Sequence, residues 1–196
     1  MKKRISTLVM AMAALVICTG NLKAQDITLG VKGGANLSSF SGDIKKTNYV
    51  FKYQVGATVD IGLTENVYII TGLELQTKGT KSKTSPNVKY NPMYLQVPVH
   101  AAYKFDIAPQ TRFVVEGGPY VAYGIAGKVK SGDEKVNIFH DDRFKRFDFG
   151  LGAGVGVEYN KFVLKGGYDF GLLNVSDMKG VKARNQNAYL TIGYHF

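Results

Sequence analysis

Between Tyr53 and Leu63 the apolar residues Tyr53, Val55, Ala57, Val59, Ile61 and Leu63 alternate with Gln54, Gly56, Thr58, Asp60 and Gly62. A period of two marks a strand with one apolar and one polar face. Val67, Ile69, Leu73 and Leu75 alternate in the same way with Tyr68, Gly72, Glu74 and Gln76. Leu95, Val97, Val99, Ala101 and Tyr103 alternate with Gln96, Pro98, His100, Ala102 and Lys104. Farther on, Phe147, Phe149, Leu151, Ala153, Val155, Val157 and Tyr159 alternate with Asp148, four glycines and Glu158. Along the whole chain the pattern predicts eight strands: Ile27 to Asn36, Phe51 to Leu63, Val67 to Lys78, Met93 to Phe105, Arg112 to Gly127, Phe147 to Tyr159, Phe162 to Leu173 and Asn187 to Phe196. Each meets the roughly 9 to 11 residues that a tilted strand needs to cross a bilayer.

The connections alternate in length. Thr64 to Asn66, Asp106 to Thr111 and Asn160 to Lys161 are short; Leu37 to Val50, Gly79 to Pro92, Lys128 to Arg146 and Asn174 to Gln186 are long and polar. Outer-membrane barrels have short periplasmic turns and long external loops. The expected fold is therefore all-β, an eight-stranded antiparallel transmembrane β-barrel of outer-membrane type, with both termini in the periplasm. Aromatic residues gather at the strand ends: Tyr53, Tyr123, Phe147 and Phe170 on the external side, and Tyr103, Phe105, Phe113, Tyr159, Phe162 and Phe196 on the other. Such bands sit at the two headgroup levels. A soluble barrel with its apolar face inward shares the alternation, but it accounts neither for the two bands nor for the Tyr194, His195, Phe196 ending. A strand closing on a C-terminal Phe is the kind of signal the outer-membrane barrel assembly machinery reads.

A leader fits this location. Lys2, Lys3 and Arg4 precede the apolar stretch Leu8 to Ile17, and cleavage after Ala24 would leave 25–196 as one barrel domain. Cys18, the single cysteine, follows Ile17 where lipidation needs a small residue. Without the leader's four basic residues the chain keeps 21 Lys plus Arg against 15 Asp plus Glu. The long loops, with Lys78 and Arg146 beside them, hold 15 basic against 6 acidic residues, so the excess lies on the external side.

The inward positions supply an ionic cluster, Asp60, Glu74, His100, Lys104, Arg112, Glu116, Glu158 and Lys165, joined by Lys32, Lys52, Asp148 and Asp169. An interior of eight strands is just wide enough to be filled by side chains, and charges there must pair or meet water. A structural polar plug is expected, with a narrow proton or ion path as the alternative. Gly150, Gly152, Gly154 and Gly156 share one strand face, unlike a phosphate loop, and would make room for bulky neighbours such as Tyr120. His100, His195 and the His140, Asp141, Asp142 group compose no catalytic set at a rim, so no catalytic, cofactor or metal residue is assigned. Facing lipopolysaccharide phosphates, the candidate residues are Lys81, Lys83, Lys89, Lys128, Lys130, Arg143, Lys145, Arg146, Lys179, Lys182 and Arg184. Nucleic acid is not an expected partner, for want of an aromatic and basic binding face.

The chain resembles the PorT-like outer-membrane β-barrels of Bacteroidota. The likeness rests on Tyr94 Leu95 Gln96 Val97 Pro98 Val99, on Gly117 Gly118 Pro119 Tyr120 Val121, on Phe147 Asp148 Phe149 Gly150, and on the Gly193 Tyr194 His195 Phe196 ending. It implies fold and location, since members of that family differ in role. The expected function is a non-enzymatic, membrane-structural or surface-interacting barrel whose partners are outer-membrane lipid and lipopolysaccharide. An accessory of an envelope secretion or gliding machine and a rim-located lipid-modifying enzyme stand as alternatives.

Overall fold

The computed structural model describes residues 26–42, 47–82, 88–131, 134–137, 145–176 and 183–196. Eleven strands succeed one another: β1 (Ile27–Gly42), β2 (Thr47–Asn48), β3 (Val50–Gly62), β4 (Val67–Thr77), β5 (Thr80–Ser82), β6 (Val88–Ala108), β7 (Thr111–Ser131), β8 (Glu134–Asn137), β9 (Phe147–Tyr159), β10 (Phe162–Gly171) and β11 (Ala183–His195). The long ones pair antiparallel in the ring β6-β4-β3-β1-β11-β10-β9-β7, which the β6–β7 ladder closes. No helix occurs among the described residues. Closure is what hydrocarbon demands, because a free sheet edge there would leave backbone groups without partners.

The register sets the shape. Stepping from Tyr123 on β7 through successive partners Leu95, Leu75, Val55, Gly33, Ile192, Leu164 and Val157 returns to β7 at Phe113, ten residues away from the start. Eight strands with that offset, at about 3.3 Å rise and about 4.8 Å spacing, tilt by roughly 40° and enclose a backbone radius of about 8 Å.

Alternation sorts the side chains. Leu29, Val31, Val55, Leu73, Val99, Val115, Leu151, Val155, Leu164, Leu190 and Ile192 are exposed on the outside, whereas Asp60, Glu74, Lys104, Asp148, Glu158 and Asp169 are buried inside. Tyr53, Tyr123 and Phe147 ring the end with the long connections, together with exposed Tyr168 and half-buried Phe170. At the other end Tyr103 lies 4.5 Å from Phe105, and Phe162 5.4 Å from Tyr194, ring centre to ring centre. With Phe113 and Phe196 these rings form two aromatic clusters at the level of the short turns.

The strands are longer than alternation predicts. β1 runs on to Gly42, β6 begins at Val88, β7 continues to Ser131, and β11 begins at Ala183, all within stretches expected to be loop; β10 instead stops at Gly171. Short β2, β5 and β8 extend the same ladders. Hydrophobic alternation marks only the part of a strand bathed by lipid. Beyond it the outer face no longer meets lipid, so the alternation lapses while the backbone ladder continues. β6 and β7, 21 residues each, are about twice the length a crossing requires, so the end of this strand pair away from its short turn, at Val88 and Ser131, stands clear of the bilayer. A register shift marks the exit: Tyr94 faces Gly124 but Met93 faces Ala126, which leaves Ile125 as the extra residue of a bulge. Residues 1–25, with the expected leader and Cys18, lie outside the described residues.

Candidate functional site: a charge-filled lumen and a basic rim

The inner face is built by pairing large polar side chains with glycines. A Cβ on Gly150 would meet the Tyr120 ring at 2.6 Å, one on Gly152 His100 Nε2 at 2.9 Å, and one on Gly156 Lys165 Cγ at 2.6 Å. The period-two glycines of β9 thus give up their own volume to side chains from β6, β7 and β10.

The lumen is stacked in three tiers. At the short-turn end Lys104 Nζ donates to Asp60 Oδ2 (2.8 Å) and Glu158 Oε1 (2.7 Å) and lies 4.3 Å from the Tyr68 ring centre. Arg112, at the rim, reaches Glu158 Oε2 at 3.1 Å and donates to the Tyr68 hydroxyl. Asp60, Glu158 and His195 bring their ligand atoms within 4.8 Å of one another, a spacing able to grip a metal ion. Two cations already balance the two carboxylates, however, and a divalent ion added to them would leave uncompensated positive charge in a dry site.

In the middle tier Lys165 donates to Glu116 Oε2 at 2.7 Å, and Glu116 Oε1 lies 3.4 Å from His100 Nδ1. Lys32 pairs with Glu74 at 2.5 Å, and Gln76 donates to the same carboxylate. Glu74, Gln96, His100, Glu116, Lys165, Asp169 and Tyr189 line a cavity of about 20 Å³, room for a single water.

The third tier holds what the sequence reading missed. Lys78, counted there with the external charges, is fully buried and donates to Gln96 at 3.0 Å. Its ammonium lies 3.6 Å from Asp148 and sits over the rings of Tyr94 and Tyr120 at 5.3 and 4.8 Å. Gln96 passes the chain on to Asp169, and Asn185 donates to Asp148. Phe40, Ala122, Val175 and Ala183 cap this tier with apolar surface. The signal for Lys78 is in the sequence, since it ends the predicted strand in the phase of Tyr68, Glu74 and Gln76; its place beside Gly79 led its charge to be counted with the loops. Amides also join the lumen: Asn36 donates to Asn187 at 2.9 Å across the β1–β11 seam.

All eight residues assigned to the ionic cluster face the lumen, Arg112 partly exposed at its mouth. Lys52, half-buried at the opposite mouth, donates to Asn91. Among the described residues, Lys32, Lys52, Lys78, Lys104, Arg112 and Lys165 stand against Asp60, Glu74, Glu116, Asp148, Glu158 and Asp169, six charges of each sign. Of the rim candidates, Lys128, Lys145, Arg146 and Arg184 are exposed at the end with the long connections, and Lys81, Lys89 and Lys130 lie on β5, β6 and β7 there. Lys83, Arg143, Lys179, Lys182 and the His140, Asp141, Asp142 group lie outside the described residues.

A closed antiparallel barrel, apolar and aromatic-belted outside and polar inside, is a transmembrane barrel of the outer membrane. The chain belongs to the outer membrane protein beta-barrel domain family, whose profile matches residues 23–177. It is similar to the crystal structure of Neisserial surface protein A at 14% identity, covering 86% of this chain and 97% of that one with a TM-score of 0.53. It is similar also to the outer membrane enzyme PagL at 11% identity, covering 84% of this chain and 98% of that one with a TM-score of 0.54. At these identities the likeness is one of fold. Comparison with curated proteins gives no match.

Proposed function

We propose that this outer-membrane barrel is non-enzymatic and non-conducting, and that it acts through its basic rim. In this reading both termini lie in the periplasm, the long connections lie at the cell surface against lipopolysaccharide phosphates, and Phe196 is presented to the barrel assembly machinery. The observation that carries it is the charge-matched lumen, whose central cavity of about 20 Å³ is lined by paired ions. An ion entering such a core would have to break buried pairs, each costing several kcal/mol. Purified protein in planar bilayers is expected to give no stable single-channel steps; reproducible ion-selective steps would overturn the plug.

The non-enzymatic reading is supported by the surroundings of the described histidines. His100 faces Glu116 in mid-lumen and His195 faces Asp60 near the short turns, neither next to a nucleophile at a rim. Deleting the gene is expected to leave the mass profile of lipid A unchanged, and a gained or lost acyl chain would overturn this part. Assignment to the PorT-like branch of outer-membrane barrels belongs to the same proposal, supported by the four short motifs quoted above.

A further inference from the structure

Two of the short turns meet beside the mouth of the lumen. The β6–β7 turn at Pro109 and Gln110 and the β9–β10 turn at Asn160 are joined by the Asn160 N–H, which donates to the Gln110 carbonyl at 2.8 Å. Gln110 and Asn160 hold positive φ, 58° and 54°, a conformation that glycine fills most easily. These positions carry carboxamides instead. With Asp106, Thr111 and Arg112 they line a cleft of about 340 Å³, within the size range of small-molecule sites.

Charge divides this cleft. Asp106 and Arg112 continue the inward phase of Lys104 and Val114, so they face the lumen mouth rather than the surrounding lipid. The Arg112 guanidinium is anchored from the lumen side, 3.1 Å from Glu158 Oε2 and 3.1 Å from the Tyr68 hydroxyl. Those contacts engage its two terminal nitrogens without exhausting the donors of the fork, and the side chain keeps 36% exposure. Asp106 is its register partner, with Cα atoms about 5 Å apart, and is exposed. Among the described residues the ion pair of Arg112 is with Glu158, not with Asp106. The cleft thus sets an acceptor carboxylate beside a donor fork, with two carboxamides alongside. A polyphosphate would be repelled by Asp106 and a simple amine by Arg112. A group carrying an ammonium and a carboxylate on one carbon suits both.

We propose that this cleft binds a zwitterionic α-amino-acid head, its carboxylate on Arg112 and its ammonium on Asp106. On the reading that the short turns face the periplasm, such heads come from free amino acids or from cell-wall peptides whose diamino-acid residue keeps an ammonium and a carboxylate on the same carbon.

The test titrates the full-length barrel in micelles with three probes of one chain length. They are diaminopimelic acid, pimelic acid, which lacks the ammonium groups, and 1,5-diaminopentane, which lacks the carboxylates. Diaminopimelic acid is expected to bind roughly tenfold or more tighter than either, the effect of one charge-assisted hydrogen bond. D106N is expected to erase its advantage over pimelic acid, and R112Q its advantage over diaminopentane. Heat-modifiable gel mobility verifies folding; should R112Q not fold, D106N, made on an exposed side chain, decides alone. Equal binding of the three probes, or a preference that D106N leaves intact, overturns the site. Co-sedimentation with cell-wall sacculi that diaminopimelic acid competes away assigns the wall peptide. Binding of the free probe without co-sedimentation overturns the wall as source and leaves the free amino acid. Labelling of E65C in whole cells by an impermeant maleimide would overturn the periplasmic placing of the turns without altering the probe result.

Discussion

Replacing Lys104 with Met is expected to lower the unfolding free energy by about 3 to 5 kcal/mol, the cost of removing one partner from a buried ion pair. Its ammonium is the shared donor to Asp60 and Glu158, and all three groups are essentially inaccessible to water. Once it is gone, Arg112 still holds Glu158, but among the described residues Asp60 keeps no closer ion-pair partner than His195, 3.8 Å away. The measurement is the urea midpoint of heat-modifiable mobility in lipid vesicles. Adding D60N to the variant is expected to restore much of the loss, because it removes the stranded charge rather than the side chain. A loss well under about 1 kcal/mol would mean that water screens this tier, as it does exposed pairs. The same substitution at Lys32, whose side chain keeps 16% exposure, is expected to cost less.

The second large effect concerns the other face. Leu190 lies in the middle of β11, is 57% exposed, and is flanked in register by Ala35 and Gly166. It sits between the two aromatic belts, so Leu190→Arg puts a guanidinium near the centre of the hydrocarbon layer. A cation on the lipid face at the bilayer midplane destabilises a barrel by about 2 to 4 kcal/mol. The same vesicle unfolding assay reads it, and the effect should shrink in a detergent whose micelle lets water approach. An unchanged midpoint in vesicles would show that this surface does not meet lipid.

How much of this was readable in the sequence depends on what surrounds each residue. β9 coincides with its predicted span, Phe147 to Tyr159, because lipid bathes one face along all of it and every second residue reports that. Alternation falls about five residues short of the upper end of β6 and four short of that of β7, beyond the span bathed by lipid. The inventory of lumen charges followed from the same parity, Lys78 excepted. Their pairing did not: Lys104, Asp60 and Glu158 stand on β6, β3 and β9, which are not all neighbours, and meet across the interior only because the register is offset by ten residues. Lys89 and Lys130, far apart in the sequence, likewise become register partners only through the pairing of β6 with β7, shifted once by the bulge at Ile125.

The seam between β1 and β11 has a kinetic corollary. These first and last barrel strands are joined over thirteen residue pairs, from Gly30 with His195 to Gly42 with Ala183. The polar contacts inside are correspondingly non-local, with Asn36 and Asn187 separated by 151 positions and Lys104 and Glu158 by 54. A half-built sheet entering the bilayer would carry ionised groups whose counterparts had not yet arrived, a state hydrocarbon penalises heavily. Insertion and ring closure are thus bound into one concerted event, slow by the standards of local topologies. A cradle that keeps water around the nascent interior until the final strand docks is the environment such a polypeptide requires.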